Sequence, residues 1–319
     1  MRNTFRLPIT TLVGTGNDFV LVDTIRHRLN GFAAQWPDVA RRLCAEGQGM
    51  GTDGLLVLGR STSADVRMRI FNPDGSEPSM CGNGIRCLAW YAHRSGAATS
   101  SMTIETNAGL KRAQIQGARR VRVDMGTPRV LASPLKLLAK GLRHADWIDS
   151  GVPHVVCWVS SVSRVDVDGL GRRLRNHKRF QPQGANVDFV QERSRRTTYN
   201  ASLGAPVHQI ALTMRTYERG VEAETQACGT GSVAAAVSAV LSDPVWRRPV
   251  EPDPYFVGQE TNLERFLADV RVPGGTLRVE LGAKRRLQDG RLMFSHAFLE
   301  GEARQVSSGS FRIHFAKRK

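Results

Sequence analysis

The sequence predicts an α/β protein of the α+β kind, organised as two homologous lobes, and three observations predict it. Segments that read as short strands outnumber those that read as helices. The order of motifs in the first half returns in the second. A Cys-Gly-polar-Gly tetrapeptide also heads an apolar segment twice, as "CGNG" from Cys81 and "CGTG" from Cys228, 147 positions apart.

Taken in order, apolar and β-branched runs predict strands at "DFVLVD" (18–23), "GLLVLG" (54–59), "VRMRIFN" (66–72), "SMTIETN" (101–107) and "RVRVDMG" (120–126). A second set follows at "PHVVCWVS" (153–160), "NVDFVQE" (186–192), "QIALTMRTYE" (209–218) and "TLRVELG" (276–282). Apolar spacing predicts helices at 36–46, 84–96, 169–177 and 231–242. The segment 243–269, rich in Pro and charge, reads as an extended surface loop or insertion before a hairpin around "VPGGTLRVE". The tail "GSFRIHFAKRK" reads as a last strand with a basic end.

The repeat lies in the motif order. "GTGNDFVLV" at 14, "GMGTDGLLVL" at 49 and Cys81 are answered by "GVPHVVCWV" at 151, "GANVDFVQE" at 184 and Cys228. The first intervals are 35 and 33 residues and the second 32 and 44. With the twin tetrapeptides, this predicts lobes of 1–128 and 129–304, the first completed by a C-terminal strand near 305–316.

At 319 residues, 41% apolar and 23% charged, the chain has the composition of a globular protein that buries a real core. No apolar run reaches bilayer-spanning length and no signal-peptide pattern opens the chain, so the expectation is a cytoplasmic protein away from membranes. Five cysteines without CxxC or Cys/His ligand spacing support neither a zinc site nor a disulfide framework. The formal charge is +16, with 18 Lys/Arg against 7 Asp/Glu in residues 111–200. A patch of that kind attracts polyanions, but no nucleic-acid motif or aromatic interleaving accompanies it. It reads as a solvated basic surface, and as a field that draws in a small acidic substrate.

The chemistry concentrates at the two tetrapeptides. First-turn N–H groups of a helix lack internal partners and carry partial positive charge. Glycines beside them admit an anionic group to the backbone. A cysteine in the same place has its thiolate stabilised. One such motif is a nucleophile or an anion site. Two, facing across a cleft, hold one carboxylate between helix N-termini with a sulfur on each side of the neighbouring carbon. That suits inversion of a stereocentre, one thiolate removing the α-proton and the opposite thiol returning one. No phosphate-binding loop, dinucleotide fingerprint or metal spacing is present, so no cofactor and no metal are expected.

"GTGNDFV" (14–20), "FNPDGSEPSMCGNGIRC" (71–87), "GVPHVV" (151–156), "GANVDFV" (184–190) and "RTYERGVEAETQACGTG" (215–231) together resemble the diaminopimelate epimerase family, in that family's order. The resemblance implies two pseudosymmetric lobes, each a mixed, mostly antiparallel sheet wrapped around a central helix, with the active site in the cleft between them. It implies a pyridoxal-phosphate-independent isomerase, dimeric with itself, that interconverts LL- and meso-diaminopimelate for lysine and peptidoglycan synthesis. It implies Cys81 and Cys228 as the acid/base pair, with Glu218 and His154 setting their protonation. Gly82, Asn83, Gly229 and Thr230 would offer N–H groups to the reacting carboxylate. Asn17, Asn72, Asn186, Glu218 and Arg219 would line the pocket, Arg219 taking the distal carboxylate. Three positions depart from the family pattern: Val152 replaces a frequent Asn, Gly54 stands where some members offer a polar side chain, and "ERG" and "ACGTG" are one residue further apart than in the commonest form.

Cys44, Cys87 and Cys157 sit in apolar patterns and read as packed core, and His177 as a surface residue at the end of a basic helix. Two other readings stay open. One is a proline or hydroxyproline racemase on the same fold. The other is a basic nucleic-acid-binding protein built on residues 111–200.

Overall fold

The computed structural model describes residues 3–29, 35–47, 49–137, 141–202, 205–244, 263–286 and 291–315. The chain is mixed α+β and divides into two compact units, Met1–Val123 with Gly301–Lys319, and Asp124–Glu300.

The first unit holds strands β1 (Asn3–Gly14), β2 (Asn17–Asp23), β3 (Gly54–Gly59), β4 (Val66–Phe71), β5 (Ser101–Thr106), β6 (Gly109–Gln116) and the start of β7 (Arg120–Gly126). Helix α1 (Trp36–Leu43) lies between β2 and β3, and α2 (Gly82–Arg94) between β4 and β5. In the second unit β8 (Arg129–Leu135), β9 (Leu142–Asp149), β10 (Pro153–Val159), α3 (Val167–Arg175) and β11 (Asn186–Asn200) come first. Then follow β12 (Ala205–Glu218), β13 (Ala223–Thr225), α4 (Gly229–Ser242), β14 (Glu264–Val272), β15 (Gly275–Arg285) and β16 (Leu292–Glu302). The last strand, β17 (Arg304–Phe315), returns to the first unit and pairs along β1.

The two units trace the same path. In the first, the strand order β17–β1–β2–β3–β4–β5–β6–β7 is joined antiparallel, antiparallel, parallel, antiparallel, parallel, antiparallel, antiparallel. In the second, β8–β9–β10–β11–β12–β14–β15–β16 repeats that series of directions. The helices fall in the same gaps, each supplying the crossover a parallel neighbour needs.

Each sheet wraps its second helix. Helix α2 touches β1, β2, β3, β4, β6 and β17, and α4 touches β9, β10, β11, β12, β14 and β15. Helix α4 is apolar on nearly every side, the pattern of a helix with no solvent face; 82–92 of α2, Asn83 and Arg86 included, and 231–240 of α4 are buried throughout. The smaller helices are amphipathic. Helix α1 packs Trp36, Val39, Ala40 and Leu43 on Leu7, Val20, Val22 and Leu55. Helix α3 starts at Asp166, whose carboxylate accepts the Gly169 N–H at 2.9 Å, and packs Val167 and Leu174 on Val187 and Tyr217. Each fully buried large apolar side chain contributes about 1.5–3 kcal/mol. Among the described residues no helix is long and apolar enough to cross a membrane.

Several sequence expectations need correction. Residues 264–269, expected as loop, belong to β14, whose alternating burial reflects one face on the core. Residues 245–262 of that expected loop lie outside the described residues. The first helix stops at Leu43 instead of reaching 46. The basic helix stops at Arg175, and His177 instead precedes a short 3-10 turn, its ring accepting the Arg179 N–H at 3.2 Å. Strands β1, β6, β8, β9, β13 and β16 were not expected.

Candidate active site

Both cysteines occupy helix N-caps in the extended conformation. Cys81 (φ −137°, ψ 123°) precedes α2, and Cys228 (φ −118°, ψ 111°) precedes α4. Each Sγ accepts the N–H three residues on, from Gly84 and from Gly231, at 3.4 Å in both cases. A thiol is a poor cap beside Ser or Asp, so its presence twice calls for a reason other than helix stability. The N–H groups of Gly82 and Asn83, and of Gly229 and Thr230, follow in the first turns, where the helix has no carbonyl to offer them.

The second glycine of each tetrapeptide stands where a side chain would meet a close neighbour. A Cβ on Gly84 would lie 3.0 Å from Leu56 Cδ2 and 3.1 Å from Ile70 Cδ1. On Gly231 it would lie 2.5 Å from Asp188 Oδ1.

In the first unit a chain of amides surrounds α2's start. Asn83 donates to Asn17 Oδ1, and Asn17 Nδ2 donates to Asp53 Oδ2 at 3.0 Å. Arg86 is fully buried beneath them. Its guanidinium donates to Gly82 O (2.9 Å), Asn83 Oδ1 (2.6 Å) and Thr15 Oγ1 (2.9 Å). Among the described residues no carboxylate pairs with it and Nε has no partner. Burial draws its pKa down to about 10, and a thiolate at Cys87 or at Cys81 would favour its charge. Asn72 heads a turn, where its Nδ2 donates to Ser76 Oγ and its backbone N–H to Ser76 O, each at 2.9 Å.

In the second unit the expected residues are joined directly. His154 on β10 stands opposite Asn186 on β11, and Asp188 stands opposite Thr216 on β12. Residues two apart on a strand share a face, so Asn186 and Asp188 point together. The His154 ring is fully buried; Nδ1 lies 2.7 Å from Asp188 Oδ2, and Nε2 lies 2.9 Å from Thr230 Oγ1 and 3.2 Å from Asn186 Nδ2. Asp188 Oδ1 accepts the Thr216 hydroxyl at 2.7 Å. Asn186 Oδ1 accepts the Arg219 N–H at 2.7 Å, and Arg219 Nη1 donates to Gln183 O at 3.1 Å. Thr230 Oγ1 is also 3.4 Å from Cys228 Sγ. Burial first, then the charges of Glu218 and Asp188, push the Cys228 thiol well above its ordinary range, while the Gly231 N–H pulls the other way, as would a Thr230 hydroxyl that donated to the sulfur.

Sequence reasoning missed Asp53, Arg86 and Asp188. All three lie inside the quoted motifs "GMGTDG", "CGNGIRC" and "GANVDFV", and that adjacency was their only signal. The remaining cysteines are buried and none heads a helix: Cys87, Cys157 and Cys44 all have thiols raised chiefly by burial. Among the described residues no group of three or more His, Cys, Asp or Glu is disposed to hold a metal ion.

Known proteins share this chain's fold and much of its sequence. The solved hydroxyproline epimerase of Agrobacterium vitis shares the fold, with a TM-score of 0.61 at 18% identity over 98% of this chain and 94% of that one. The diaminopimelate epimerase of Aquifex aeolicus is 38% identical across 75% of this chain and 83% of its own length. That of Methanothrix thermoacetophila is 35% identical across 95% of both. A family model described as diaminopimelate epimerase matches residues 9–131 and 147–251. That span contains both cysteine-capped helices and every residue joined to them above, and the chain belongs to the diaminopimelate epimerase family of isomerases.

Proposed function

We propose that this chain interconverts LL- and meso-2,6-diaminopimelate by exchanging the α-proton between Cys81 and Cys228. The observation that carries the reading is the paired capping: a cysteine at the head of each wrapped helix, its sulfur beside first-turn N–H groups. The Gly82, Asn83, Gly229 and Thr230 N–H groups take the α-carboxylate, and there stabilise the negative charge that develops as the proton leaves. One thiolate accepts the α-proton and becomes a thiol. The opposite thiol gives its proton to the other face of the carbon and becomes a thiolate. Proton and charge balance without any further reactant.

Asn17, Asn72, Asn186 and Glu218 line the amino and carboxylate groups, and Arg219 binds the distal carboxylate as a planar fork. That last contact favours a dicarboxylic substrate over proline, which has no distal carboxylate. His154 and Glu218 bias the protonation of Cys228. The family also supports a homodimeric, cytoplasmic enzyme of lysine synthesis, and sedimentation velocity would read the dimer.

Incubation of LL-diaminopimelate with the purified protein in heavy water, no cofactor added, tests the reading. Deuterium is expected at the epimerised α-carbon together with the meso isomer. Cys81→Ala and Cys228→Ala should each lower kcat by at least about 100-fold, the scale of lost acid–base catalysis. Deuterium in proline but not in diaminopimelate would sink the substrate assignment. Full epimerisation by either variant would sink the two-thiol mechanism.

A further inference from the structure

The two units repeat one path, yet they differ at matching places around the cysteines. In the first, the strand positions facing the capped helix are Phe19, Gly54 and Leu56; in the second they are His154, Asn186 and Asp188. Five residues after the cysteine, the first helix carries buried Arg86 and the second buried Val233. Each unit therefore holds one buried charge at the base of its cysteine helix, and the signs are opposite.

We infer that Arg86 and Asp188 are positioning residues that make two similar thiols unlike: Arg86 holds Cys81 as the thiolate of the substrate-free enzyme, and Asp188 holds Cys228 as the thiol. This rests on the two-thiol reading above.

Donor and acceptor roles in the second unit follow from its fixed groups. The Arg219 backbone N–H only donates, so the Asn186 group facing it is the carbonyl oxygen. The amide nitrogen of Asn186 then faces His154 Nε2, which must carry a lone pair. The ring proton is left on Nδ1, where the Asp188 carboxylate accepts it. With no proton on Nε2, the contact from Thr230 at 2.9 Å binds only if the threonine hydroxyl donates. Its hydrogen committed, Thr230 offers Cys228 an acceptor alone. An acceptor beside sulfur favours S–H over the thiolate, the same sense in which burial and the charges of Glu218 and Asp188 act on Cys228.

The opposite holds in the first unit. A guanidinium taken wholly from water with no carboxylate partner among the described residues is costly; of the two thiols beside it, Cys87 is itself fully buried, which leaves Cys81 to answer its charge. Its contacts to Gly82 O and Asn83 Oδ1 fix it under the first turn, where it adds to the partial positive charge of the helix terminus.

Two measurements on the whole protein test this without relying on turnover. In a spectrum of 15N-histidine-labelled protein, with one of eight signals assigned to His154 by its loss in His154→Asn, the ring should show protonated Nδ1 and unprotonated Nε2. Protonated Nε2 would overturn the inference. Thiolate ultraviolet absorbance across pH should show an early-titrating thiolate in Cys228→Ser and none before the alkaline range in Cys81→Ser. The reverse order would also overturn it. Arg86→Met should cut the Cys81 thiolate at neutral pH at least about tenfold, the effect of one pKa unit. Asp188→Asn should lower kcat about 100-fold through the wrong tautomer, with KM nearly unchanged. If the heavy-water assay fails while tautomer and titration order hold, the substrate reading falls and the thiol assignment stands; the opposite result separates them the other way.

Discussion

Cys81 and Cys87 lie six positions apart in one heptapeptide, yet their surroundings make them different reagents. Cys87 is fully buried against Gly14, where an added Cβ would come within 2.7 Å of its sulfur. Burial pushes its thiol up to about 12, more than Arg86 can pull it down. A raised thiol keeps its proton at neutral pH, so almost no Cys87 thiolate exists to react. Iodoacetamide should therefore modify Cys81 in the folded enzyme and leave Cys87 intact, as read by peptide mass mapping; equal labelling would contradict the assignment. At this scale the sequence was legible where glycine context marked a backbone need, as at both tetrapeptides. It was illegible for Arg86 and Asp188, because a charged residue in a sequence usually marks solvent. "IRCLAWY" and "NVDFV" do not say that their charges are buried. Only the closure of a sheet over a helix does so.

The wrapped helices set how much substitution their first turns tolerate. Gly84 faces the terminal carbons of Leu56 and Ile70, which can rotate away. Gly231 faces a carboxylate already held by His154 and Thr216. Gly84→Ala should thus cost about 1–3 kcal/mol of stability by overpacking while keeping measurable turnover. Gly231→Ala should lose most of its kcat, because the methyl displaces Asp188. Adding Asp188→Ala to Gly231→Ala should recover Tm but not turnover, and recovery of both would argue that Asp188 only packs. The helices and the inner strands were legible because burial on all sides leaves dense apolar runs. The missed strands were not. β1 carries Pro8 and β8 carries Pro134, residues that ordinarily disfavour a strand. β6 has only Ala113 buried, too weak a stripe to read as period two.

At the scale of the whole molecule, the repeated series of strand directions explains why twin motifs spaced far apart in sequence could be read as two copies of one device. The recurrence of motif order made the duplication legible, whereas the strand directions depend on pairing partners no motif names. The first unit is also discontinuous. β17 pairs with β1 from Asn3↔Phe315 to Val13↔Arg304, and Ile313 joins the core of Leu7 and Ile9. Deleting 304–315 should expose that core and unpair β1, leaving Asp124–Glu300 protected in hydrogen exchange while the first unit exchanges freely. Equal protection in both units would show that β17 is dispensable. The same pairing imposes an order on biosynthesis. Domains form as units while the chain emerges, but the amino-terminal unit must wait for a strand made after all of the second. The half that leaves the ribosome first is the half that finishes folding last, and until then its unpaired β1 edge is the nascent protein's exposed flank.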